Sequence, residues 1–517
     1  MERKDSRGAQ NILNLIAKSS LIVLLAVLIS KILTYVYRIV IVRVYGPEVY
    51  GVFSLAIIIF TISITLASLG LYEGLLRYIP FYRGRKDIKN ISYLFRKSLL
   101  ILLISGIFAG ALLFFLSDEI AVGIFHNEEL IIFLKIFSFF IPFVTLSSGF
   151  LSALLSYEKI TWNTAIVNFF QNFLKIVFLL FFIFIGMKTN AIIFSYIIGT
   201  LSVFILSYFV SKYYLSRIYK KYELSKKKKH FLTSDLLSYS WPMMFSSIIA
   251  SIFYWTDSFV IGYYMGATYV GIYNIAVPIA MLLTIAPDLF VRLFFPLITK
   301  EFSKKNYKII AETSKQVEKW ILFFNVPVLL IILTFPGAII NILFGEGSFL
   351  PGMTGVLENS LRMLALGAAF ASLQIVPVYL LSTLGKSKII LTNTLIAGLI
   401  NLLLNILLIN KYGIAGAAFS TMIVSIGLCA VYFLQLKKYI KFFPLRRKMI
   451  NIFIIAFISL IFLILEKSLI KLNLINLLIL GFSFLVFYIL LAFKTKCFDE
   501  YDIEVIRLIK KQALSRT

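Results

Sequence analysis

Three cations interrupt an apolar run near the N-terminus. In LISKILTYVYRIVIVRVYGPEVYGVF (28–53), Lys31, Arg38 and Arg43 stand among aliphatic and aromatic residues. An ionisable side chain in a bilayer costs about 2.5–3.5 kcal/mol on insertion scales, so it normally faces a cavity or an ion partner. Lys31 and Arg38 are seven residues apart, nearly two helical turns, and share a face with Thr34 and Tyr35 between them. Neither has an acid four residues away on either side. The spacing predicts two cations lining a cavity that receives an anion. Arg43 lies three residues before Gly46 and is expected to snorkel to the outer headgroups.

Other polar groups fall inside apolar stretches. Asp257, in FYWTDSFVIG, is a candidate site for a proton or sodium ion, or an ion-pair partner for Arg38 or Lys31; both readings stay open. Glu73/Arg77, Asp288/Arg292 and Glu358/Arg362 are acid-to-arginine pairs at i, i+4, an order that favours mutual salt bridges. Arg77 and Arg292 occupy matching places in the two halves of the chain and are counted with the candidate cavity cations. Asn168, Gln171, Asn172 and Lys175 form one polar stripe at i, i+3, i+4, i+7, echoed by Asn401 and Asn405. Interhelical hydrogen bonding explains such stripes by itself. Lys175 adds a cation and points to a cavity. The acidic stretch SDEIAVGIFHNEE (117–129) reads as an outer loop. Two histidines and two cysteines, Cys429 and Cys497, are scattered, so neither a disulfide framework, a metal site nor a cofactor is expected.

These residues must be carried by membrane helices. Of 517 residues, 60% are hydrophobic and 15% charged, against about 45–50% and 25% in soluble chains. Apolar windows predict an all-α polytopic membrane protein with about fourteen spans: 19–44, 50–79, 97–117, 130–155, 161–185, 189–213, 239–264, 271–297, 317–342, 360–383, 388–409, 414–436, 449–466 and 473–493. The first is too long for a signal-peptide core and is read as retained. Of the 51 lysines and arginines, 39 fall on the termini and one set of alternate loops, 4 on the other set and 8 inside spans. That asymmetry predicts cytoplasmic N- and C-termini and an even number of spans. It also accounts for the net charge of +27 without nucleic acid. The cluster KKKKH (226–230) reads first as an orientation signal, with contact to anionic lipid as a second use.

The chain is written twice. RIVIVRVYGPEVYGVFSLA (38–56) matches SFVIGYYMGATYVGIYNIA (258–276) at an offset of 220, pairing Gly46 with Gly266 and Gly51 with Gly271. Glycine permits a tight outer turn there. At an offset of 230, Asn163-Thr164 matches Asn393-Thr394, Gln171 falls on Asn401 and Lys175 on Asn405. Two parallel six-helix repeats around a central cavity follow: an N-lobe (1–211), a basic linker (212–238), a C-lobe (239–436), spans 13 and 14 (437–493) and a cytoplasmic tail (494–517).

The outer-turn motifs YGPEVYGVFSLA and MGATYVGIYNIA, the stretch KYGIAGAAFSTMI (411–423) and the fourteen-span order resemble polysaccharide flippases of the multidrug/oligosaccharidyl-lipid/polysaccharide exporter superfamily. The resemblance covers essentially the whole chain. It implies translocation of a polyprenyl-(pyro)phosphate-linked oligosaccharide across the cell membrane by alternating access, with a cationic cavity for the head group. Lys31 and Arg38 match that cavity; Arg77 and Arg292 match it less closely, having acid neighbours. In related flippases of lipid-linked peptidoglycan precursors, spans 13 and 14 hold the lipid tail. Glu466, Lys467 and Lys471 lie only near the outer ends of those spans here. Expected partners are the lipid-linked oligosaccharide, membrane lipids, a coupling proton or sodium ion, and glycan-assembly enzymes. The rival reading is an organic-cation antiporter of the same superfamily, for which Asp257 speaks. An enzyme is disfavoured, because no large outer loop carries catalytic acids.

Overall fold

The computed structural model describes residues 2–288, 290, 295, 298, 302, 307–345, 352–440, 449–469, 474–495 and 497. Among them the regular elements are all helical. In order they are α1 (Glu2–Ser68), α2 (Leu71–Gly84), α3 (Ile88–Asp118), α4 (Glu129–Ser138), α5 (Ile141–Ser156), α6 (Ile160–Thr164), α7 (Gln171–Phe184), α8 (Asn190–Tyr214), α9 (Ser216–Tyr219), α10 (Lys226–Met265), α11 (Ala267–Ala280), α12 (Tyr307–Thr334), α13 (Pro336–Phe344), α14 (Met353–Leu373), α15 (Ile375–Thr383), α16 (Ser387–Tyr412), α17 (Ile414–Ile440), α18 (Met449–Leu469) and α19 (Leu474–Lys494). Among the described residues, twelve helices are long and apolar enough to cross a membrane, thirteen if the bent pair α4–α5 is one span. The protein is an all-α, multi-pass membrane protein.

The first of these helices is a hairpin. Gly46 interrupts α1 with φ 84° and ψ 169°, a region closed to side chains with a Cβ, and Pro47 opens the second limb. Tyr37 and Phe53 are sixteen residues apart, about 24 Å on a straight helix. Their rings nevertheless meet edge to face at 6.1 Å. The chain therefore folds back at Gly46. Gly266, between α10 and α11, repeats the conformation at φ 88° and ψ 176°. The residues equivalent to Tyr37 and Phe53 at the offset of 220 are Asp257 and Tyr273, and they also touch: Tyr273 Oη donates to Asp257 Oδ2 at 2.6 Å.

Several expected spans are interrupted, and proline explains most of the breaks. Its ring collides with the carbonyl four residues back and leaves an N–H missing. Span 130–155 bends by 48° between α4 and α5, ahead of Pro142. Span 317–342 breaks at Phe335 before Pro336, and span 360–383 at Gln374 before Pro377. Span 50–79 also divides, at Leu69 and Gly70, which both have positive φ. This split makes α2 a separate helix and places Arg77 on it. Span 161–185 contains a π-helical turn at Ala165–Phe170.

The basic linker is partly helical. Ser225 caps α10 by accepting from the Lys228 N–H at 3.3 Å, so 226–230 form a first helical turn. At 40 residues, α10 is about 60 Å long, twice the thickness of a hydrocarbon core.

Two compact units are distinguished, Met1–Asn274 and Ile275–Thr517. One core of the first packs α2, α3, α5 and the start of α10 through Leu71, Leu75, Phe95, Phe150, Leu154, Leu232 and Leu236. In the second, α18 and α19 pack on α12 through Ile452, Ile455, Phe484 and Tyr488, whose hydroxyl donates to Phe323 O at 3.1 Å.

Candidate functional site

The site is built on the first limb of α1. Tyr37 anchors it: its hydroxyl is 3.1 Å from Ser195 Oγ and 3.3 Å from Ile192 O on α8. Asn172, just past the π-helical turn, donates to Ser30 Oγ at 3.0 Å and ties α7 to the same limb. With those contacts fixed, Lys31 and Arg38 project partly buried from the limb. Neither forms an ion pair with a carboxylate among the described residues.

Lys175 joins them. It is 8% exposed, and its ammonium lies 4.0 Å above the Tyr196 ring. Gly199 on α8 leaves the room that its methylene stem fills. Tyr37, the neighbour of Arg38, contacts Ser195, and Lys175 stacks on the adjacent Tyr196, so α1 and α7 bring both cations to the same stretch of α8. Two like charges converge here in a low-dielectric setting, with an aromatic face rather than a carboxylate as counterpart. Such a pair is costly when empty and favourable toward an anion.

The rest of the expected polar set separates. Asn168 and Gln171 are half-buried, and the carbonyl oxygen of Asn168 accepts from Asn172 Nδ2 at 3.0 Å. In the second unit Asn401 donates to Thr421 Oγ1 at 3.1 Å and Asn405 donates to Asn401 Oδ1 at 3.1 Å, a bridge from α16 toward α17. Asp257 accepts from Tyr273, and beside it Ser258 and Asn274 bond at 3.1 Å. Arg43 is exposed near the Gly46 turn.

The i, i+4 arginine pairs behave differently from one another. Glu358 and Arg362 pair at 3.6 Å, and Arg362 also donates to Leu333 O and Asn359. The salt bridge expected between Glu73 and Arg77 is not formed. Instead the Arg77 guanidinium lies 4.2 Å from the Tyr239 ring of α10 and 5.5 Å from Tyr78. Arg292 lies outside the described residues. Tyr196 and Tyr239 are the partners that sequence reasoning missed; each meets its cation across two helices, a contact that no spacing along one helix reveals.

The outer-turn glycines interlock. A Cβ on Gly51 would overlap the Ala267 carbonyl oxygen, and a Cβ on Gly271 would overlap that of Pro47. At the offset of 220 these are the same contact made in both directions, as across a two-fold axis.

Residues 16–302 match the family described as Polysaccharide biosynthesis protein. The chain belongs to that family. Residues 242–407 also match the MatE family. An uncharacterized membrane protein of Methanocaldococcus jannaschii is 25% identical over 89% of this chain and 92% of its own length. A Shigella flexneri protein whose name proposes O-antigen transport is 25% identical over 72% of this chain and 86% of its own. Among solved structures, the lipid II flippase MurJ in an inward closed conformation superposes with a TM-score of 0.69 at 20% identity, over 90% of this chain and 97% of that one. The family member described here is thus a multi-pass membrane transporter of the multidrug/oligosaccharidyl-lipid/polysaccharide exporter superfamily, and not an enzyme.

Proposed function

We propose that this transporter flips a polyprenyl-(pyro)phosphate-linked oligosaccharide from the inner to the outer leaflet of the cytoplasmic membrane by alternating access. The observation that carries the reading is the cation set around α1. Lys31 and Arg38 have no carboxylate partner among the described residues, and the buried Lys175 stacks on Tyr196, next to the Ser195 that Tyr37 contacts. A phosphate head group supplies the missing negative charge. Guanidinium binds its oxygens through two parallel hydrogen bonds, and ammonium binds as a point charge. Asn168, Gln171 and Asn172 offer hydrogen-bonding groups suited to sugar hydroxyls, while the prenyl tail stays in lipid. The names of the Shigella flexneri relative and of the MurJ structure agree with an amphiphilic glycan cargo.

In this reading the chain crosses the membrane fourteen times, the hairpin α1 supplying two crossings and both termini facing the cytoplasm. Six-helix lobes alternate around the cavity, and Arg77 and Arg292 add cations to it. Deleting the gene and measuring lipid-linked glycan on each leaflet tests the proposal. Accumulation on the inner leaflet, rescued by the wild type and not by Lys31→Ala/Arg38→Ala, is the expected result. Full rescue by that double variant removes the cation site from the mechanism.

A second reading rests on Asp257 and the MatE match. An organic-cation antiporter needs an intramembrane carboxylate, and in the flippase reading the same group serves a coupling proton or sodium ion. Uptake of a lipophilic cation into vesicles, abolished by Asp257→Asn, would favour the antiporter.

A further inference from the structure

We propose that α2 and the N-terminal arm of α10 form a binding site for an anionic phospholipid of the inner leaflet, separate from the cation set on α1. It rests on the orientation proposed above and not on the transported substrate. The side chains of α2 divide cleanly. Leu71, Leu75, Tyr78, Ile79 and Tyr82 are buried. Phe81 and Arg85, four residues apart, are exposed along the opposite face.

The arginines of this helix are not equivalent. Arg83 is engaged by Glu158 at 3.2 Å, by the Ser156 carbonyl oxygen and by the Tyr157 ring. Arg85 makes no ion pair among the described residues; its guanidinium lies 4.3 Å from the Phe81 ring, which is 47% exposed. An aromatic face orients a guanidinium and leaves its in-plane N–H groups pointing outward. That geometry suits the two oxygens of a phosphodiester.

The neighbouring arm completes the surface. It is held firmly against α2 and α3: Tyr78 donates to Asp235 O at 3.1 Å, Tyr93 and Thr233 share a 2.9 Å hydrogen bond, and Lys228 pairs with Asp87 at 3.8 Å. Its exposed side carries Trp241 and Phe245, 56% and 47% exposed, with rings 5.2 Å apart. Tryptophan gathers at the junction of headgroup and hydrocarbon. A basic first turn followed further along by exposed aromatic residues suits a helix that starts at the headgroups and then enters the hydrocarbon. Positive charge, oriented guanidinium and aromatic anchors together match a phosphate headgroup above the start of acyl chains.

The test is preferential lipid binding. Purified full-length protein is titrated with phosphatidylglycerol and with phosphatidylcholine in mixed micelles, and bound lipid is counted by native mass spectrometry. The wild type is expected to prefer the anionic lipid. Arg85→Gln should weaken that preference about fivefold, the factor that one cation at an anionic surface supplies, and Phe81→Ser should weaken it similarly. Lys411→Gln should not. Arg85 lies outside the proposed transport site, so glycan export by Arg85→Gln stays near wild type at saturating phospholipid. An unchanged preference in both variants overturns the proposal. So does an equal loss in Lys411→Gln, which would mean unspecific charge. Binding of a polyprenyl phosphate in place of phosphatidylglycerol at Arg85 overturns it too and assigns the surface to cargo entry. If glycan export fails as the function while the lipid preference survives, the two readings separate.

Discussion

Lys175 asks most of the structure at the scale of single residues. An ammonium that is 8% exposed and faces a ring rather than a carboxylate is a poor way to stabilise a helix pair. A buried charge without a carboxylate partner carries a desolvation cost that an apolar side chain of similar length does not. Lys175→Met is therefore expected to leave the melting temperature unchanged or higher while lowering glycan export. A lower melting temperature with normal export would make Lys175 structural. Arg77 makes a paired prediction. If Tyr239 positions its guanidinium, Tyr239→Phe keeps the interaction and Tyr239→Leu loses about 0.5–1 kcal/mol of it, seen as weaker cargo binding in the second variant only. The i, i+7 spacing of Lys31 and Arg38 was legible without a structure because both lie on one helix. The Glu73–Arg77 bridge was misjudged for the complementary reason: local spacing favoured the acid, and a ring from another helix took the arginine.

At the scale of elements, the hairpins around Gly46 and Gly266 were readable from repetition. The two glycines share one backbone conformation, closed to other residues. Pro142 and Pro336 likewise marked breaks in their spans, whereas Pro327 lies inside the continuous helix α12. The division of span 50–79 had weaker signals, because hydropathy runs through Leu69 and Gly70 without a dip that identifies a break. What no single segment disclosed is the reciprocal packing of Gly51 on Ala267 and Gly271 on Pro47. Gly51→Ala and Gly271→Ala each insert a methyl group against a backbone carbonyl, an overpacking that costs roughly 1–3 kcal/mol. If the outer turns separate during transport, both variants shift the population toward the separated arrangement by about 5- to 150-fold, the factor to which that cost converts. Spin labels at Glu48 and at Thr268, its equivalent at the offset of 220, should then report a longer mean distance than in the wild type. An unchanged distance with reduced thermal stability would show that the contact is permanent.

The whole molecule carries a charge asymmetry that the contacts within each unit respect. Segments assigned to the same side by the 39-to-4 distribution meet one another. Asp87 pairs with Lys228 and Arg83 with Glu158, all on the side rich in cations. Tyr45 donates to Met187 O at 3.0 Å, both on the side poor in them. In the second unit Asn451 donates to Thr495 O at 3.0 Å, again on the cation-rich side. These contacts order the ends relative to one another, and the absolute direction proposed above follows the positive-inside rule. Both native cysteines are buried, so engineered thiols report with little background. In intact cells, a membrane-impermeant maleimide should label Glu48→Cys, Lys188→Cys and Lys411→Cys. It should label Arg85→Cys, Lys226→Cys and Lys386→Cys only after the membrane is opened. Labelling of Arg85→Cys and Lys411→Cys from the same face would contradict the assigned parity of crossings between them. Labelling of Arg85→Cys in intact cells would in addition invert the orientation proposed for α1. The topology experiment thus bears on the direction of transport as directly as a flux assay does.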